Sequence, residues 1–222
     1  MGTDIHFVVQ KRVNDKWEDL TVDKEDYDNY DHATKYYPRI AGEFHWTGGR
    51  HYYIFAWLAN VRNGYGFAGV KTFEPVRSLT DQRGLPEGFE VGKYNEEKDD
   101  YVGGPYLGDH SFGWALASEI LAHPRRAVQE SGVLTVEAYK ALRDEGKEPE
   151  SWSGDIWGKD IKVVDSKDFE KEMKDPEPGK KIYVRASWTS SKDHLDEFVN
   201  ATKEVAEKYG AGNVRIVFGF DS

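Results

Sequence analysis

The chain contains no cysteine. That excludes a disulfide framework, thiolate metal ligands and a cysteine nucleophile. There is also no excess of positive charge. The 30 Lys and Arg residues face 40 Asp and Glu, a formal net charge of −10, so a basic nucleic-acid-binding surface is not expected. No apolar run approaches the ~20 residues of a membrane span. No basic segment followed by an apolar run opens the chain as a secretory leader would. Met1-Gly2 matches the start of a myristoylation signal, but His6 stands where that signal needs Ser or Thr. Several catalytic signatures are absent as well: the Gly-Lys-Ser/Thr phosphate loop, Gly-x-Gly-x-x-Gly after a strand, the Gly-x-Ser-x-Gly elbow and His-Glu-x-x-His. These absences together predict a soluble protein of a reducing cytoplasm, with no membrane partner and no nucleic-acid partner.

What the chain does have is aromatic residues. Hydrophobic content is 38% but aromatic content is 14%, with seven Trp and thirteen Tyr, so the core is expected to be built from rings more than from aliphatics. A length of 222 residues suits one large domain or two small ones. The opening stretch from Thr3 to Lys11 reads as a strand. Alternation puts Asp4, His6, Val8 and Gln10 on one face and Ile5, Phe7 and Val9 on the other. Asn14-Asp15-Lys16 reads as a tight turn and Trp17 to Val22 as the returning hairpin strand.

Tyr53, Ile54, Trp57, Leu58 and Val61 recur at helical spacing between Arg50 and Val61, with Gly64 available as a left-handed cap. Asp109 or Ser111 is placed to cap a helix through Trp114, Leu116, Ile120 and Leu121, which Pro124 stops. A short helix is expected over Thr135 to Asp144. Residues 182–188 read as a strand. Ser190 or Ser191 then caps a helix with Leu195, Phe198, Val199, Thr202, Val205, Ala206 and Tyr209 on one face, and residues 214–220 form the last strand. That β–α–β unit is long enough for its strands to be parallel. Long loops are expected at about 23–49, 64–108 and 146–180, the last anchored by Trp152 and Trp157. The economical reading is one α+β domain with a mixed sheet and long insertions.

Three constellations carry chemistry. Asp4 and His6 lie two positions apart, roughly 7 Å along a strand, which suits one divalent metal ion or one ligand. Asp109-His110-Ser111 sits in a predicted turn. Were it to dock on the first strand, Asp4, His6, Asp109 and His110 would form a metal-binding cluster able to activate water. Arg50, Arg62 and Arg83 stand beside aromatic or Gly residues, where guanidinium forks recognise phosphate or carboxylate. Each motif also has a plain structural reading, as a hydrogen-bonded strand pair, a helix cap or an ordinary salt bridge. Arg185 and Arg215 sit on the two C-terminal strands, and whether they share the face of His6 depends on register.

Several segments taken in order resemble a family of uncharacterised proteins of tailed bacteriophages. They are residues 1–6, Arg50-His51-Tyr52, Val61-Arg62-Asn63, Phe73-Glu74-Pro75, Arg83-Gly84-Leu85-Pro86, Asp109-His110-Ser111 with Trp114, and the ending 214–221. The resemblance runs nearly end to end and is weakest over 23–49 and 125–180. It implies a phage origin, expression in the host cytoplasm and a single shared site for these polar positions, and it supplies no catalytic assignment. The expected function is that of a phage accessory protein. It binds a small anionic ligand such as a nucleotide or signalling nucleotide through Arg50, Tyr52, Arg62, Asn63, Arg83, Ser111 and Trp114, with aromatics to stack a base. It acts in counter-defence by sequestering the ligand or by cleaving it, and whether it is an enzyme stays open. The alternative is an acidic interaction protein that mimics DNA and inhibits a basic host factor.

Overall fold

The computed structural model describes residues 2–20, 44, 46, 48, 50–81, 83–97 and 100–221. Most of the expected loop 23–49 lies outside the described residues. The elements in chain order are β1 (Asp4–Val13), β2 (Lys16–Asp19), α1 (Tyr52–Ala59), β3 (Lys93–Asn95), β4 (Asp100–Val102), β5 (His110–Leu116), α2 (Ala117–Ala122), β6 (Gln129–Thr135), α3 (Val136–Glu145), β7 (Ile161–Asp165), α4 (Phe169–Lys174), β8 (Lys181–Thr189), α5 (Asp196–Tyr209) and β9 (Val214–Asp221). Helices and mixed sheets make an α+β protein, as the patterning predicts. The described residues group into two compact units, one from Met1–Asn63, Val76–Arg125 and His194–Ser222, the other from Gly64–Pro75 and Arg126–Asp193.

The first unit is built on the sheet β2-β1-β9-β5, antiparallel throughout. Asn14 and Asp15 both take positive φ (49° and 63°), the backbone that a two-residue hairpin turn requires. β1 and β9 are buried on both faces, so His6 and Gln10 are as enclosed as Ile5 and Phe7. One face meets rings: Phe7 lies 5.1 Å from Trp46, Phe55 lies 5.1 Å from Phe220, and Phe198 of α5 lies 4.8 Å from Trp46. The other face carries Val8, Val217 and Leu107, covered by Leu85, Phe89, Val91, Phe112 and Trp114.

The second unit holds the sheet β6-β8-β7, with β6 antiparallel and β7 parallel to β8. Leu134, Tyr139, Val164, Phe169, Val184, Ala186 and Trp188 form its core. Helix α3 follows the expected bounds closely. The Thr135 side chain accepts from the Ala138 amide, and Gly146 closes the helix at φ 68°.

Five expectations are corrected. Residues 110–116 are a strand, and only Ala117–Ala122 are helical. Gly113 and Ala115 are buried, alternate with half-buried neighbours and pair with β9, so tertiary pairing overrides the local cap signal. Strands β8 and β9 are not a parallel pair: β8 is flanked by β6 and β7, and β9 by β1 and β5. Helix α5 starts at Asp196 rather than after Ser190 or Ser191. The stretches 64–108 and 146–180 are not loop throughout, since the first carries the β3–β4 pair and the second β7 and α4. Trp157, at 83% exposure, anchors nothing, whereas Trp152 packs edge-on against Trp188 at 5.6 Å.

Candidate functional site

The chemistry-bearing residues of the first unit collect at one end of its sheet, where β1 begins, β9 ends and β5 begins. Register puts Asp4 opposite Asp221, His6 opposite Gly219 and His110 opposite Phe220. Two groups form there, one on each face.

The first group lines a cavity of about 350 Å³ bounded by Thr3, Asn60, Arg62, Asp81, His110 and Ser111. Helix α1 ends because Asn60 turns left-handed (φ 61°), its amide donating to the Ala56 carbonyl and the Val61 amide to that of Phe55. Asn63 then fixes the following loop. Its amide nitrogen donates to the Val76 carbonyl at 2.7 Å, and its oxygen accepts from the Val76 amide at 2.8 Å. Between these anchors Arg62 sits at φ 50°. Its Nε donates to the buried Thr3 Oγ1 at 2.6 Å, and its guanidinium lies 5.3 Å from the Tyr52 ring centre. On the facing strand, a bulge between His110 and Gly113 carries Ser111 at φ 53°. The His110 Nδ1 and Ser111 Oγ are 2.9 Å apart, and His110 Nε2 lies 3.9 Å from Asp109 Oδ1. Four of the eight lining residues, Asn60, Arg62, Asp81 and Ser111, have positive φ without being glycine. Such backbone costs of order 1 kcal/mol per residue and gathers where function demands it.

The second group lies on the opposite face. His6 Nε2 is 2.9 Å from Asp221 Oδ2, and the Tyr106 ring meets His6 edge-on at 4.7 Å with Tyr101 beyond it at 4.5 Å. Burial first, then the charges of Asp221, Tyr101 and Asp109, push the Tyr106 hydroxyl up to about 12. The folded form therefore holds this proton more tightly than the unfolded chain. Its contribution to stability is complete below pH 10 and is lost as pH rises through about 12. Ultraviolet titration of the tyrosines should show one group ionising late, and Asp221→Asn should bring that step to lower pH.

No family model, curated protein or solved structure matches the chain.

The sheet separates the four residues expected to share a metal. Asp4 and His6 occupy one face, while the His110 ring stacks on Phe220 (6.1 Å, 23°) on the other. The Asp4 carboxylate takes Arg50 Nε at 2.9 Å and Nη2 at 3.2 Å, and His6 takes Asp221. Among the described residues, no group of three or more His, Asp or Glu side chains stands where it would hold one metal ion. Of the residues expected to bind a ligand, Arg62 and Ser111 reach the cavity, Tyr52 supports Arg62, and Asn63 shapes the loop. Arg50 is taken up by Asp4.

Arg83 and Trp114 belong elsewhere. The Arg83 fork bonds both Glu119 oxygens at 2.8 and 2.9 Å and the Trp114 carbonyl at 3.0 Å, and it lies 4.9 Å over the Trp114 ring. Glu119 also accepts the Leu116 amide, closing the first turn of α2. The Arg83 hydrogen bond holds the Glu119 carboxyl below its ordinary 4.5, so its stabilisation is present above that pH and lost as pH falls. Glu119→Gln should cost about 1 kcal/mol at neutral pH, the pair being partly exposed. That cost should shrink as pH falls below 4.5, as denaturation series at neutral and acid pH would show.

Arg185 bonds Asp155 at 2.7 Å within the second unit, and Arg215 bonds Gln10 at 2.8 Å over Trp17, at the far end of β9 from His6. Sequence reading missed Thr3, Asn60 and Asp81. Asn60 had a signal, an Asn just after the last apolar helical position. Thr3 had the alternation that sets it on the Ile5 face. Asp81 had none.

Proposed function

We propose that the cavity at Arg62 binds a small anionic ligand of the nucleotide class, and that the protein is a phage accessory protein that sequesters or cleaves this ligand in the host cell. The observation that carries the reading is the meeting of Arg62 with His110 and Ser111 in one cavity, although they lie far apart in sequence. The Arg62 fork, its plane set by Thr3 and its face resting on Tyr52, suits a phosphate or carboxylate. The Asp81 carboxylate, which lines the same cavity and accepts the Asn60 Nδ2 at 3.4 Å, accepts donors, which matches the amino group of a base and disfavours a ligand that is anionic all round. The volume, about 350 Å³, falls within the range of small-molecule sites.

Calorimetric titration with nucleoside monophosphates, cyclic dinucleotides and inorganic phosphate tests this. Arg62→Ala should weaken binding about 10- to 100-fold, or roughly 1.4–2.7 kcal/mol. Thr3→Val, which removes only the acceptor that orients the fork, should weaken it several-fold while leaving stability nearly intact. No binding to any of these ligands or to a host metabolite extract would end the reading.

A further inference from the structure

We propose that Ser111 is a nucleophile, activated by His110, that accepts the phosphoryl group of a phosphoric ester held on Arg62; this rests on the reading of the cavity as a site for phosphorylated ligands. The first observation is the backbone. The segment 108–113 uses glycine where the fold requires it: Gly108 has φ 79°, and a Cβ on Gly113 would stand 2.7 Å from the Phe218 ring. Position 111 also has positive φ, at 53°, yet it keeps a side chain. Glycine would hold that conformation at lower cost, so the hydroxyl is retained against the local preference of the chain.

The second observation is where the hydroxyl points. Ser111 Oγ lies 2.9 Å from His110 Nδ1, within the reach of proton transfer, and both residues line the cavity that Arg62 lines. A base needs Nδ1 unprotonated and therefore Nε2–H. The Asp109 carboxylate lies on the Nε2 side of the ring, at 3.9 Å and beyond hydrogen-bond length, where its charge attracts an Nε2–H. The Phe220 ring stacked on the imidazole limits its rotation. Nucleophile, base and anion-binding fork thus meet at the bulge that opens β5.

The step balances without an added oxidant or metal. The Oγ–P bond forms as the P–O bond to the leaving group breaks. The Oγ proton passes to Nδ1 and from there to the departing alkoxide. Water then attacks the phosphoserine, giving a proton to Nδ1. The Oγ–P bond breaks, Oγ regains its proton, and phosphate is released. The Arg62 fork faces the non-bridging oxygens, where charge gathers.

Diisopropyl fluorophosphate tests the assignment, because Oγ attack forms Oγ–P and expels fluoride. Intact-mass analysis should show one adduct per chain, mapped to Ser111 by peptide digestion. His110→Gln should slow labelling at least 10-fold, and inorganic phosphate should protect the wild type but not Arg62→Ala. Ser111→Gly, whose φ suits glycine and which should therefore fold, should acquire no adduct. A wild-type labelling rate equal to that of Ser111→Gly overturns the nucleophile, even if calorimetry shows phosphate bound. An adduct at Ser111 that phosphate does not slow keeps the nucleophile and overturns the phosphoric ester as its substrate.

Discussion

Gly219→Ala is expected to lower the stability of the first unit by about 3 kcal/mol or more, at the upper end of what overpacking costs. A Cβ at this position would stand 2.1 Å from the Leu107 carbonyl oxygen and 2.6 Å from the Phe112 ring. The first of these is backbone and has no rotamer by which to yield. The reverse contact is equally close: a Cβ on Gly108 would lie 2.2 Å from the Phe220 carbonyl, while the Asp109 amide donates to that same oxygen at 2.8 Å. The two glycines let the segment from Leu107 to Asp109 lie directly on β9, and that segment positions Tyr106 on one face and His110 and Ser111 on the other. The substitution should therefore act on the site as well as on the fold. Hydrogen-exchange protection of the β9 amides should fall, the late tyrosine ionisation should move back toward pH 10, and any ligand affinity should drop. Gly212→Ala is the control. Nothing lies within 4 Å of a Cβ there and its φ is ordinary, so it should change stability by less than about 0.5 kcal/mol. Equal behaviour of the two variants would mean that the close crossing does not hold in solution.

The parts of this protein legible in its sequence are those where local pattern and tertiary contact agree. The period-2 alternation of β1, the ring spacing of α1, the Thr135 cap of α3 and the apolar stripe of α5 all have one interpretation, and the fold adopts it. Residues 110–116 are the informative failure. Asp109 and Ser111 are good caps, and Trp114, Leu116 and Ile120 lie near helical spacing, but the free edge of β9 offers a ladder that a helix would forgo. The parallel pairing of the two C-terminal strands failed for a related reason. A β–α–β string fixes the elements and not the sheet each joins, and β8 found β6 and β7 as neighbours. Within the site, Arg62, His110 and Ser111 carried visible chemistry. Arg83 carried the same visible chemistry and is a cap brace instead, because what separates a ligand-binding fork from a structural one is Glu119, 36 positions away. Thr3 and Asp81 carry roles that only the folded chain confers.

Phe198→Ala should be the costliest single truncation of a side chain, about 3–5 kcal/mol. Phe198 is fully buried on the inner face of α5. Its ring meets Trp46 at 4.8 Å, Phe44 at 6.2 Å and Trp57 at 6.4 Å, all near edge-to-face. Such pairs contribute about 0.5–1.5 kcal/mol each beyond their buried area, so one ring joins α5, α1 and the segment carrying Phe44 and Trp46. A chain with 38% hydrophobic residues and 14% aromatics has few aliphatic neighbours able to collapse into the space left behind, which places the cost toward the top of the range. Phe198→Leu keeps most of the volume and loses the ring geometry, and should cost about half as much. Near-ultraviolet circular dichroism of the tryptophans, followed through urea unfolding, measures both. The effect should reach the cavity as well. Trp57 sits one turn before Asn60, whose left-handed cap sets the entry of Arg62, so loosening α1 should weaken ligand binding in Phe198→Ala under conditions where the variant is still fully folded. Unchanged binding in a destabilised Phe198→Ala would show that Asn63 and its clamp on Val76 hold the Arg62 loop without help from the helix.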